Sequence, residues 1–132
     1  MSKQSKKIKP KTGNPVVQRA ELLSELQQLA GDDRETYEAL SATMFLNPKN
    51  IEPSTEEAVE NAEKAKDAGD KAKAGMWYAV AGGLSIYEGN VKKVVEYYSE
   101  AEKIIGKRYK ILKNPEKAVT IAQEYYKKFL PT

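Results

Sequence analysis

Cysteine and histidine are both absent from this 132-residue sequence. Without cysteine there is no disulfide framework, no thiol nucleophile and no thiolate metal site. Without histidine the commonest general base and the commonest transition-metal ligand are missing. Zinc hydrolases and Ser-His-Asp hydrolases are therefore excluded. Long apolar runs are lacking too. The longest uncharged run, Ala74 to Tyr87, is fourteen residues, short of the ~20 that a spanning helix needs. The basic start MSKQSKKIKPKTGNP has no apolar core behind it, so a signal peptide is not expected and a cytoplasmic chain without membrane contact is. No segment alternates with period two, which argues against strands.

What is present is an ordinary globular balance, 40% hydrophobic and 31% charged, in a length that suits one compact domain. The charge is unevenly placed. Residues 1–20 carry six cations and no acid, residues 21–102 carry eight cations and seventeen acids, and residues 103–132 carry eight cations and two acids. Basic ends around an acidic middle point to a polyanionic partner. They equally fit a chain whose ends fold back on its own middle.

Apolar spacing and cap residues predict a basic, disordered tail over 1–13 and a helical domain over 14–132. Pro15 opens a helix with Val16, Ala20, Leu23, Leu26 and Ala30 inward, and Gly31 stops it. Asp32 or Asp33 caps a second helix with Tyr37, Leu40, Met44 and Phe45 inward. Ser54 and Glu57 have capping-box spacing before a third, whose inner face is Ala58, Val59, Ala62 and Ala65, extending to Ala68. Gly69-Asp70 leads into a fourth helix, about Lys71 to Glu88. Asn90 caps a fifth with Val91, Val94, Val95, Tyr98, Ala101 and Ile105 inward. Asn114 and Pro115 start a sixth, with Ala118, Ile121, Ala122, Tyr125 and Phe129 inward. The expectation is an all-α compact bundle of about six helices.

The fourth helix, which reads GMWYAVAGGLSIYEGN from Gly75 into the turn that follows it, holds more glycine than helices favour. No P-loop lysine follows Gly82-Gly83, and no strand precedes them. Gly75, Ala79 and Gly83 instead recur every four residues, a small-residue ridge for close helix packing. The alanine face of the third helix is its expected partner, and Gly83→Leu is expected to damage folding.

Candidate function lies in lysines and tyrosines. Lys103, Lys107, Arg108, Lys110 and Lys113 cluster within eleven residues, and Lys6 and Lys7 add a second basic element. Tyr97, Tyr109 and Tyr126 stand beside lysines. Such rings can stack bases while cations track phosphates, or can pack with their hydroxyls towards water. With no base-reading motif, RNA or single-stranded DNA would be held through its backbone. Asp32-Asp33 and Glu56-Glu57 sit where helix dipoles favour acids, and no Asp-rich metal loop is present. No catalytic constellation is identified, so no enzyme, cofactor or metal is expected.

Two resemblances follow. Tyr78, Gly82, Gly89-Asn90, Val94, Tyr98 and Ala101 have the spacing of a tetratricopeptide helical pair, which implies peptide binding in a groove. AGGLSIYEGNVKKVVEYY followed by KNPEKAVTIAQEYYKKFL resembles the small subunit of archaeal type I-A CRISPR surveillance complexes. That resemblance implies a non-catalytic subunit in antiviral defence that lies along a crRNA-containing backbone with other protein subunits. The reading is a non-enzymatic accessory subunit of a nucleoprotein complex, the alternative a helical protein–protein adaptor with no nucleic-acid role.

Overall fold

A computed structural model describes residues 15–130, with side chains from Arg19 onward. Among these residues there are six α-helices and no strand: α1 (Pro15–Ala30), α2 (Arg34–Thr43), α3 (Thr55–Asp67), α4 (Lys71–Glu88), α5 (Val91–Ile105) and α6 (Pro115–Phe129). Short 3₁₀ turns, Pro48–Asn50 and Lys110–Lys113, occupy the two longer connections. The chain is all-α, as expected, and the helix starts agree because caps are local chemistry. The Asp33 carboxylate accepts the Thr36 N–H at 3.0 Å, and Ser54 and Glu57 cap each other's backbone. Asp70, Asn90 and Asn114 each accept from the third residue of the helix that follows. Every such bond satisfies an N–H that helix geometry leaves without a partner. Gly89 and Gly106, at φ +75° and +82°, end α4 and α5 in the left-handed region, where a Cβ is strained. The tail expected over 1–13 lies outside the described residues.

Short turns fold α3, α4 and α5 into an antiparallel layer with α4 in the middle. α6 crosses onto this layer and touches α1, α2, α4 and α5. The main core forms where they meet, from Leu26, Leu40, Ile86, Val94, Tyr98, Ile111 and Tyr125 among others. A smaller core, Ala62, Tyr78 and Ala101, fills the space inside the layer. Four side chains expected inward do not face it: Ala20 and Ala68 are exposed, and Val95 and Ile105 are 36% and 44% exposed.

The glycines of α4 serve close approach, but not to the expected partner. A Cβ on Gly82 would lie 2.5 Å from the Tyr98 ring of α5. A Cβ on Gly83 would lie 2.5 Å from the Phe45 ring and 3.2 Å from the Thr43 carbonyl oxygen. Gly75 faces the Ile105 side chain. The α3 side of α4 is a different row. Glu88 accepts the Thr55 hydroxyl at 2.5 Å, and Ala81 and Ala74, at seven-residue steps before it, share its face and are fully buried. Alanines thus meet α3, while the glycines admit an aromatic ring from each of two other directions. Gly82→Ala is expected to destabilise the fold by about 1–3 kcal/mol, because the buried Tyr98 ring cannot yield. Gly75→Ala, facing the exposed end of Ile105, should be neutral or stabilising by up to ~1 kcal/mol. Urea unfolding of both variants measures the difference.

Candidate functional site

The residues expected to form one nucleic-acid face are scattered by the fold. Tyr126 is 4% exposed, its ring edge-on to Tyr87 at 5.1 Å. Its hydroxyl donates to the Phe45 carbonyl at 2.5 Å. Tyr126 is a core residue and has no free face for a base, which corrects the expectation. Tyr97 is half-buried and stacks on Tyr78 at 6.5 Å and 28°, on the α3 side of α5. Tyr109 is half-buried, 5.0 Å from the Tyr98 ring, with its N–H donated to the Glu102 carboxylate at 2.9 Å. Tyr97 and Tyr109 both pack against the smaller core, whereas Tyr126 belongs to the main core.

The lysines are also divided. Lys110 pairs with Glu38 at 2.7 Å, Lys113 with Glu35 at 3.3 Å, and Lys117 of α6 with Asp33 at 2.6 Å. This ladder ties the acidic start of α2 to the basic segment 110–117. Lys110 holds the Glu38 carboxyl below its usual 4.5, and Lys117, with the Thr36 hydroxyl and N–H, holds Asp33 well below 3.8. Lys103 pairs with Glu100 of its own helix. Lys107 and Arg108 make no ion pair among the described residues. The Lys107 ammonium lies 5.7 Å from the Tyr109 ring centre. Of the expected site, only Lys107, Arg108 and Tyr109 remain together. Lys6 and Lys7 fall outside the described residues.

The basic connector has an anchor that charge had concealed. Ile111 is fully buried in the main core, so the chain between Lys110 and Lys113 dips inward while its lysines turn out to α2. Apolar periodicity cannot register one such residue in so short a segment.

Three surfaces stand out instead. The open end of the α4–α5 hairpin presents Met76, 47% exposed, with Ile105 over the neighbouring Gly75. Trp77, half-buried, sits between two shallow clefts on the α3 side. A groove of about 780 Å³ runs between the α4–α5 turn and α6, lined by Tyr87, Val91, Val119 and Leu130. There Gln123 donates to the Ile86 and Tyr87 carbonyls at 2.8 and 2.9 Å, which satisfies the end of α4. A helix apolar on most sides is ordinarily covered on most sides, but Met76 of α4 is exposed and Trp77 half-buried.

No helix among the described residues is long and apolar enough to cross a membrane. No family model, curated protein or solved structure matches this chain.

Burial pushes the Tyr98 and Tyr126 hydroxyls well above the ordinary 10.0, and pushes Tyr125 up to about 12. A raised folded-state value means that the unfolded chain loses its protons first, so stability is intact below pH 10 and falls above it. Unfolding is therefore expected to begin as the pH rises from 10 towards about 12. The loss of helicity by circular dichroism should coincide with the last, buried fraction of tyrosinate absorbance, and ionisation of all eight tyrosines at full helicity would contradict it.

Proposed function

We propose that the chain is a non-catalytic helical adaptor that docks a protein partner at the open end of the α3–α4–α5 layer. The carrying observation is the overhang of α4. Its most N-terminal residue packed against the main core is Ala79. The eight residues before it extend for about 12 Å at helical rise and, among the described residues, are flanked by α3 and α5. Exposed Met76 and Ile105 and half-buried Trp77 lie on that overhang. Apolar side chains held out on a rigid element fit a protein contact better than a phosphate contact. The neutralising ladder at Lys110 and Lys113 supports the same reading, since those cations already have acidic partners. A photocrosslinker at position 76 should yield protease-sensitive, nuclease-resistant adducts in extract at high salt, and one at Glu124 should not. Nuclease-sensitive adducts at 76 would overturn the proposal.

A second reading keeps a nucleoprotein role, as the resemblance to type I-A small subunits implies. It is supported by Lys107 and Arg108, exposed beside Tyr109. Two phosphate contacts predict a log–log salt slope of about −1.4 for single strands, against about −4 for six. Lys107→Glu with Arg108→Glu should abolish that binding for every sequence. Equal binding of an oligouridylate by this double variant, or a slope near −4, would overturn the two-cation site.

A further inference from the structure

Trp77 is the only tryptophan in the chain, and its ring is shared by two clefts that meet at Asn61. The cleft on the Lys73 side, about 390 Å³, mixes Lys64 and Lys73 with Asp70. The other, about 490 Å³, is walled by Glu52, Pro53, Glu57 and Glu60 and holds no cation. One oxygen of Glu57 accepts the Ser54 N–H at 2.9 Å as part of the α3 cap. Glu52 and Glu60 make no ion pair among the described residues. The cleft thus offers an indole, a proline and carboxylates of which Glu52 and Glu60 have no ion-pair partner among the described residues.

We infer that this cleft receives an arginine or lysine side chain from a basic segment of the partner protein. The inference rests on the adaptor reading and adds the chemistry of the partner. An indole face attracts a cation through its ring quadrupole. Carboxylates beside it supply charge-assisted hydrogen bonds, which a guanidinium meets as a planar fork. Phosphates of a nucleic acid, anionic lipid headgroups and acidic peptides would each meet three carboxylates of their own sign. Charge complementarity therefore selects a cationic segment, and the apolar overhang at Met76 supplies neighbouring contact area for the residues around it.

Because Trp77 is the sole tryptophan, its emission reports occupancy directly in the full chain. A capped Gly-Arg-Gly-Arg-Gly peptide should change it saturably, while the matching glutamate peptide and an oligouridylate should not. Glu52→Gln with Glu60→Gln should raise the apparent Kd roughly fivefold or more, with helicity and melting unchanged because both side chains are exposed. No saturable change at millimolar peptide, an unaltered Kd in the double variant, or the same response to oligouridylate would each overturn the cation assignment. Loss of the protein adducts at position 76 with the peptide response intact would overturn the adaptor reading and leave the cleft standing.

Discussion

The fold depends on the absence of two side chains at Gly82 and Gly83. Tyr98 occupies the space over the first, Phe45 and the Thr43 carbonyl the space over the second. The backbone just after α2 is thereby pressed onto the middle helix of the layer. Its carbonyls would be left unpaired in an apolar setting, at a cost of about 1–3 kcal/mol each. Two tyrosine hydroxyls meet them, Tyr98 from α5 at Thr43 and Tyr126 from α6 at Phe45. The same rings fill the core and satisfy the backbone. α2, α4, α5 and α6 are therefore held at one junction, and neither the glycines nor the tyrosines can be understood separately.

That junction decides what the charges can do. With α2 seated on α4, its acidic first turns stand opposite the connector between α5 and α6, and Asp33, Glu35 and Glu38 each find a lysine. Exposed ion pairs of this kind add little stability and are screened by salt. Their larger consequence is electrostatic: a polyanion approaching Lys110 or Lys113 must displace an acid of the protein's own before it gains a contact. Basic residues clustered in sequence become neutral rungs in space. Lys107 and Arg108, exposed and without an ion pair among the described residues, are the cations of this segment that keep their charge free.

Secondary structure was readable residue by residue wherever it rests on local chemistry. The capping box at Ser54 and Glu57, the Asn90 and Asn114 caps and the glycine stops all follow from neighbours within four positions. What failed was partnership at long range. The ridge of Gly75, Ala79 and Gly83 correctly signals close packing, but helical spacing says nothing about which neighbour arrives, and the aromatics came from α5 and the α2 end instead of α3. Tyr126 and Tyr97 stand in similar lysine-flanked pairs or runs, yet one is buried and the other half-exposed, because their surroundings are set by how α6 crosses the layer. Met76 illustrates the same limit. Its apolar row matches that of Leu84, and only the span of the covering elements distinguishes the two.

The span of cover is also what separates scaffold from surface in α4. A helix of 18 residues is about 27 Å long, and the elements that cross it reach only its C-terminal part, where Phe45, Gln123 and Tyr126 dock. Within the layer, α3 and α5 hold the remaining turns rigid on two sides, through alanine contacts on one flank and through Ile105 on the other. A stiff apolar ridge, partly uncovered among the described residues, results, so that binding need order exposed side chains such as Met76 but not the helix backbone. The glycine-rich stretch therefore has two roles divided along its length. Gly82 and Gly83 belong to the junction that builds the fold, whereas Gly75, Met76 and Trp77 belong to the face the junction leaves open.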